Sequence, residues 1–322
     1  MRQAVTSARA FWTVAPGRGE IRAETLAAPA EGALRLHALA SGVSRGTEAL
    51  VFAGLVPPSQ YEAMRAPLMG GAFPGPLKYG YSLVARDPAG RRVFVLHPHQ
   101  DVLNAPAAMC IPVPQAVPTR RAVLGANMET AVNVLWDAMP LAGERILVIG
   151  AGVLGLLIAA VCARVPGTRV TVVDIEPSRC RLAGAFGCGF ALPEAAPGEQ
   201  DLLIHTSASA AGLWLALDRA GFEARIVEAS WYGASAPAVP LGEAFHSRRL
   251  RLIATQVGAI APAMRGRRSH AERLELALDL LADPVFDLLL EGPTRFEDLP
   301  RAMPAILAPG GLCHVITYGS PE

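Results

Sequence analysis

The sequence is short of several things, and each shortage excludes something. It has no C-x-x-C pair: five cysteines, Cys110, Cys162, Cys180, Cys188 and Cys313, are scattered over 322 residues. That spacing excludes a disulfide-stapled scaffold and fits buried or idle thiols in a reducing compartment, so a cytoplasmic location is expected. There is no charge excess, with 29 Lys and Arg against 28 Asp and Glu. Such a balance makes no field for nucleic acid or an anionic membrane, and neither is expected as a partner. The densest basic cluster, RGRRSH at Arg265–His270, reads as a solvated loop. The N-terminal MRQAVTSARAFWTV lacks the apolar core of a signal peptide. A membrane-spanning run is also missing. The nearest approach, ILVIGAGVLGLLIAAVC at Ile146–Cys162, is short for a span and broken by three glycines, Gly150, Gly152 and Gly155. A buried strand, a glycine turn and a buried helix explain it better.

What is present is apolar mass, 52% of residues, over a length suited to about two domains. The first part, 1–120, carries short β-like runs: AFWTVAP, GEIRAETL, GALRLHALA, YGYSLVARD and RRVFVLH. Pro- and Gly-rich connections separate them. PSQYEAMRAPLMGGAFPGP is a long insertion, expected to be one helical turn and then coil, and insertions of that length are usually functional. ASGVSRGTEAL, Ala40–Leu50, reads as a loop at the end of the strand LRLHAL. From Arg120 the pattern changes. RRAVLGANMETAVNVLWDAM reads as a helix, and strands then alternate with helices through RILVIG, RVTVVD, DLLIHTS, ARIVEASW and RLRLIATQ. Alternation of this kind means βαβ units and a parallel sheet. A helix at HAERLELALDLLAD and a last strand at GLCHVITYG close the chain. The fold class is therefore α/β: a β-rich domain, then a doubly wound parallel sheet over 121–269. The segment of about 270–322 is expected to complete the first domain.

The sharpest local signal is RILVIGAGVLG. It holds G-x-G-x-x-G at Gly150, Gly152 and Gly155, after a strand and before a helix, and Asp174 ends the next strand nineteen residues past Gly155. This is a dinucleotide-binding fingerprint in its full context. Gly150 permits a tight turn, Gly152 lets backbone approach a pyrophosphate, and Gly155 lets helix and sheet pack closely. The helix start at Val153 and Leu154 supplies N–H groups and a positive dipole end for phosphates. A carboxylate at Asp174 accepts from ribose hydroxyls and repels a 2′-phosphate, which favours NAD over NADP; Arg179 softens that preference. His205 and Thr206, after the strand DLLIH, are expected to line the cofactor cleft. His205 is either a stacking or hydrogen-bonding neighbour of the cofactor or a plain loop histidine.

The motifs SGVSRGTE, KYGYSLVA, RRVFVL, ANMETAVNVLWDA, VIGAGVLG and VVDIEPSRCRLA together resemble the medium-chain dehydrogenase/reductases, and the resemblance runs over nearly the whole chain. It implies a GroES-like catalytic domain around a Rossmann NAD-binding domain, with a small-molecule substrate and a homodimer paired through the sheet edge at RLRLIATQVGA. The family's zinc-dependent members use a Cys, a His-Glu pair and a Cys or Asp; the matching positions here are Ser44, Tyr81 with Ser82, and Ala126. The four-cysteine structural lobe is missing too. A tetrahedral zinc needs N, S or O⁻ ligands that these side chains do not supply, so no metal is expected. Thr47 stands three residues after Ser44, where the family's Thr stands two after its Cys. Within the family, SGVSRGTE is most similar to the subgroup around bacteriochlorophyllide dehydrogenase, which oxidises a hydroxyethyl group on a tetrapyrrole with NAD.

Without zinc, alcohol chemistry needs a proton acceptor, and carbonyl reduction needs a donor at the developing oxyanion. The candidates are Tyr81, Ser44, Thr47, His99 in HPHQ, and Glu129. Thr130 matches the family position that touches the nicotinamide ring. Glu48 is a candidate base or a surface carboxylate. Arg45 and Lys78 are substrate-carboxylate ligands or solvated charges. Three functions remain in view: a metal-independent NAD-dependent alcohol or ketone oxidoreductase, a zinc-free NADPH-dependent enoyl or quinone reductase, and a dinucleotide-binding protein without catalysis.

Overall fold

The computed structural model describes residues 6–319. The chain divides into two units: one runs to Ala126 and resumes at Leu274, and the other is Asn127–Arg273.

The first unit is β-rich. One sheet orders Arg18–Leu26, Thr6–Ala15, Leu77–Lys78 and Gly70–Gly71. A larger one orders Leu290–Arg295, Cys313–Thr317, Ala33–Val43, Leu83–Arg86, Arg92–Val95 and Ile111–Pro112, with Val102–Pro106 also on Ala33–Val43. The C-terminal strand returns as expected, pairing antiparallel from His314 opposite Val43 to Thr317 opposite Ala40. Alternation along Ala33–Val43 sends Leu36 and Ala38 into a core with Leu83, Val93, Val95 and Leu103. Two strands escape a reading by alternation: Val102–Pro106, and Leu290–Arg295, whose sequence LEGPTR carries Gly and Pro.

ASGVSRGTEAL is not a loop. The strand runs on to Val43, and a helix, Arg45–Phe52, starts after Ser44 at its N-cap. The helix faces Val51 and Phe52 inward, and Phe52 stacks on Phe11 at 6.4 Å between centroids. The insertion is more ordered than coil: a 3-10 turn at Pro58–Gln60 and the two-residue strand Gly70–Gly71 give it shape.

The second unit is a six-stranded sheet with every pairing parallel. Its order is Gly189–Ala191, Arg169–Val173, Arg145–Ile149, Gln200–His205, Ala220–Glu228 and Arg251–Ala254. Numbered in chain order within the unit this is 3-2-1-4-5-6, the doubly wound dinucleotide-binding arrangement. Central strands RILVI and QDLLIH are buried on both faces, which is why they read as continuous apolar runs. Strand Gly189–Ala191 is too short to show a pattern. The helix Val153–Cys162 is ten residues long, and no helix among the described residues is long and apolar enough to cross a membrane. RGRRSH is exposed throughout, as its composition implied.

Inside this unit the largest fully buried side chain is Arg273, 1% exposed. Its guanidinium donates to Glu129 Oε1 at 2.9 and 3.1 Å, to Asn133 Oδ1 at 2.6 Å and to the Val257 carbonyl at 2.6 Å. One arginine thus ties the helix Gly125–Ala138 to the segment after the last strand. Burying such a charge is tolerable only because nearly every donor is used.

Candidate functional site

The glycine loop is built as its three glycines require. Gly150 has φ +108°, a backbone region that favours glycine, and a Cβ there would lie 2.7 Å from Thr206 Oγ1. A Cβ on Gly155 would lie 1.9 Å from the Gly150 carbonyl oxygen, so helix and turn pack at a distance only glycine allows. At Gly152 a Cβ would meet nothing, which leaves the helix start open in front of Val153 and Leu154. The residues present thus fit a dinucleotide: room, N–H groups and a positive helix end stand together where a pyrophosphate needs them.

Asp174 closes the strand Arg169–Val173 and turns toward this loop. Its Oδ2 accepts from the Ala151 N–H at 2.6 Å and its Oδ1 from the Glu176 N–H at 2.9 Å. Each carboxylate oxygen has a second lone pair for a ribose hydroxyl. Next to it Ile175 is 84% exposed, an apolar side chain that composition alone does not flag. Arg179 ends the turn Pro177–Arg179, and its charge helps hold Glu176 below the usual carboxylate range, behind the hydrogen bonds from Ser178.

Two expected cofactor neighbours do something else. Thr206 Oγ1 donates toward the carbonyls of Ile149 and Gly150, at 3.0 and 3.1 Å, so it braces the glycine turn from behind. His205 is 0% exposed, with Nδ1 at 2.8 Å from Glu228 and Nε2 at 2.7 Å from Ser207. Both ring nitrogens are engaged and the ring is enclosed, which rules out stacking on a ligand. Glu129 is likewise committed: its carboxylate holds Arg273, and burial pushes its pKa up against that ion pair. This makes Glu129 a structural partner, not a base waiting for substrate. Thr130 follows it, half-buried, on the same helix.

The first unit gathers its polar residues from distant parts of the chain. Tyr81 Oη donates to Ser44 Oγ at 2.7 Å. The Ser44 backbone N–H donates to Glu48 Oε1 at 2.7 Å, one helical turn along. Glu48 Oε2 lies 3.0 Å from His99 Nε2, and His99 Nδ1 lies 2.7 Å from Ser41 Oγ, which meets Tyr318 Oη at 2.8 Å. Glu48 and His99 are 3% and 1% exposed. His99 is therefore enclosed, with no face left for a substrate carboxylate, and Glu48 is not a surface residue. Burial pushes the Tyr81 phenol up to about 12, helped by the Glu48 charge and opposed by hydrogen bonds with Ser44 and Thr47. It stays protonated near neutrality, a donor and not a base.

The neighbouring groups are also spoken for. His97 is buried, with Nδ1 against the Pro98 carbonyl, and burial drives its pKa down to about 4. Lys78 donates to Glu24 and Gln100, both at 2.6 Å, and Arg45 donates to the Ile306 carbonyl. Ser82 donates to the Val123 carbonyl. The insertion reaches this cluster through its rings: Tyr61 stacks on Phe73 at 5.3 Å, Phe73 meets Tyr79 at 6.1 Å, and Tyr79 meets Tyr81 edge-on at 6.0 Å.

Ser44, Tyr81 and Ala126, which the family resemblance sets at the zinc-ligand positions, carry a hydroxyl, a phenol and a methyl, and such a donor set does not fit a tetrahedral zinc. Among the described residues no three His, Cys, Asp or Glu side chains converge as a metal site. Sequence reasoning missed Ser41, Tyr318 and Arg273, and left Glu48 between a candidate base and a surface carboxylate. The local trace of Glu48 is its place four residues after Ser44, one beyond the usual capping-box spacing, from where its carboxylate reaches back to the Ser44 N–H.

No family model matches the chain. A curated L-threonine 3-dehydrogenase from Ruegeria pomeroyi is 32% identical over 83 residues, which is 25% of this chain and 23% of that protein. The chain is thus matched over under a quarter of that relative's length. Solved structures agree over nearly the full length. L-idonate 5-dehydrogenase from Escherichia coli K-12 superposes with a TM-score of 0.80 at 12% identity, covering 98% of this chain and 100% of that one. An alcohol dehydrogenase from Escherichia coli CFT073, complexed with NADH, gives 0.78 at 16% identity, covering 97% and 99%. The chain thus shares the fold of these alcohol and polyol dehydrogenases.

Proposed function

We propose that the chain is a metal-independent, NAD-dependent oxidoreductase that interconverts a secondary alcohol and a ketone on a fairly bulky small molecule. The observation that carries this reading is the Tyr81–Ser44 hydrogen bond, at the two positions where zinc dehydrogenases keep metal ligands. The nicotinamide, when bound, supplies or accepts the hydride. The chain's own residues handle the oxygen. Tyr81, held protonated by burial and by Glu48, donates to the ketone oxygen or to the alkoxide that forms there. Once Tyr81 has given its proton to that oxygen, Ser44 and Thr47 are the first hydroxyls from which the phenol regains one, and alcohol oxidation runs the same transfers in reverse. Gly150, Gly152, Val153, Leu154 and Gly155 hold the pyrophosphate, and Asp174 the adenine ribose, which favours NAD. The aromatic series from Tyr61 to Tyr81 supports a bulky, ring-bearing substrate. The SGVSRGTE resemblance puts a hydroxyethyl tetrapyrrole in the first substrate panel. Pairing of two chains along the edge strand Arg251–Ala254, where Leu252 is 40% exposed, belongs to the same proposal.

The test is a fluorescence titration of purified protein with NADH and with NADPH, with zinc measured on the same sample and an alcohol and ketone panel run beside it. NADH binding, sub-stoichiometric zinc and turnover of a panel member are expected. Stoichiometric zinc, or a preference for NADPH, overturns the metal or the cofactor assignment.

A further inference from the structure

A third polar cluster lies at the carboxyl edge of the parallel sheet. Parallel register sets His205 directly beside Glu228, the last residues of the strands Gln200–His205 and Ala220–Glu228. Neighbours in register present side chains to the same face, and His205 Nδ1 lies 2.8 Å from Glu228 Oε2. Two residues on, the exposed Ser207 places its Oγ 2.7 Å from His205 Nε2. Burial pushes the Glu228 carboxyl up, but hydrogen bonds from His205 and Ser230 outweigh it and hold it below its usual range. An ionised carboxylate only accepts, so Nδ1 carries the imidazole proton, Nε2 is the acceptor, and the Ser207 hydroxyl donates to it. Tyr232 Oη, donating to Glu228 at 3.0 Å, and the Ser230 N–H, donating to it at 2.8 Å, fix the carboxylate in place. The order of bonds is hydroxyl to imidazole to carboxylate, the arrangement that activates a serine nucleophile.

We propose that Ser207, His205 and Glu228 form a nucleophilic triad that cleaves activated carboxylic esters, an activity separate from hydride transfer. Ser207 Oγ bonds to the acyl carbon while its proton moves to His205 Nε2. The ester C–O bond then breaks, and the alcohol leaves with that proton. Water next attacks the acyl-serine and gives its proton to His205; the acid departs and Ser207 recovers its hydroxyl. The strand-to-helix turn presents the serine: Ala208 has φ +51°, and the helix Ala210–Arg219 begins two residues later. A Cβ on Gly150 would lie 3.0 Å from the Ser207 nitrogen, so this turn shares a wall with the glycine loop. Bound NADH should therefore shield Ser207, a point that rests on the proposed cofactor site, whereas the triad does not.

The experiment is incubation of the full-length, cofactor-free protein with p-nitrophenyl acetate. Release of p-nitrophenolate is followed, and the acetylated residue is located by peptide mass spectrometry. Acetyl on Ser207 is expected, absent in Ser207→Ala, and formed at least tenfold more slowly in Glu228→Gln. Ser207→Cys, at an exposed position, should be acylated at residue 207 and keeps the test readable if Glu228→Gln does not fold. Wild-type protein without acetyl-Ser207, or Glu228→Gln folded and labelled at the wild-type rate, overturns the triad. Labelling of Ser207 that saturating NADH does not slow leaves the triad standing and removes the cofactor from this wall.

Discussion

In the second unit the glycine loop and Asp174, the candidate pyrophosphate and ribose residues, lie within one βαβ stretch, from Gly150 to Asp174. In the β-rich unit the candidate catalytic residues and their hydrogen-bond partners come from Ser41–Glu48, Tyr81, His99 and Tyr318, with the bonded pair Ser41 and Tyr318 separated by 277 positions. The first arrangement is local because a dinucleotide is gripped largely by backbone, and backbone shape is dictated by glycine spacing. The second is long-range because a proton-handling cluster needs side chains converging from separate strands, and nothing about each residue alone announces it. A site made of backbone is written in spacing; a site made of side chains is written in topology.

That difference can be broken or sharpened by substitution. The largest effect is expected at Tyr81→Phe. Loss of the donor should cut turnover about 10²–10⁴-fold on whichever substrate the panel yields, while NADH binding by fluorescence stays unchanged. Equal loss of both would mean the two units do not divide the work. Next comes Arg273→Met, which leaves Glu129 buried without its partner. Removing one member of a buried ion pair costs about 3–5 kcal/mol, to be read as a lower denaturation midpoint. A variant as stable as wild type would show that Arg273 is a passenger.

A third outcome concerns pH. The folded His97 has a pKa near 4 against an ordinary 6.5. The folded state therefore binds fewer protons there than the unfolded one. Stability from this group is fully present above the unfolded value and falls as pH drops from 6.5 toward 4, by roughly 3 kcal/mol at one pKa unit per 1.36 kcal/mol. Chemical denaturation at pH 7 and pH 4 in wild type and His97→Asn should show this part of the acid loss only in wild type. The smallest effect is expected at Asp174→Ala. A charge-assisted hydrogen bond contributes about 1.5–3 kcal/mol, so the preference for NADH over NADPH should shrink about 10–100-fold. An unchanged ratio would place cofactor choice elsewhere.

The architecture was largely legible, because alternation marks half-buried strands and continuous apolar runs mark the central parallel ones. The strand LEGPTR was not, since Gly and Pro argue against a strand wherever pairing does not override them. Ser44 and Tyr81 were legible through resemblance, and the structure brings them together. Glu48 was read as a base or a surface carboxylate, because glutamate in a polar stretch is usually solvated; the turn from strand to helix at Ser44 drives it inward. His205 was left open between a cofactor neighbour and a plain loop histidine. A histidine at a strand's carboxyl end looks available until the register shows Glu228 beside it.

The insertion between Pro58 and Pro76 is attached by rings more than by ladder bonds: it adds only short strand pieces, while Tyr61 and Phe73 stack outward from Tyr79 and Tyr81. Such a segment is evolvable. Its length and its outer rings can drift while the neighbouring strands Ala33–Val43, Leu83–Arg86 and Arg92–Val95 keep their register.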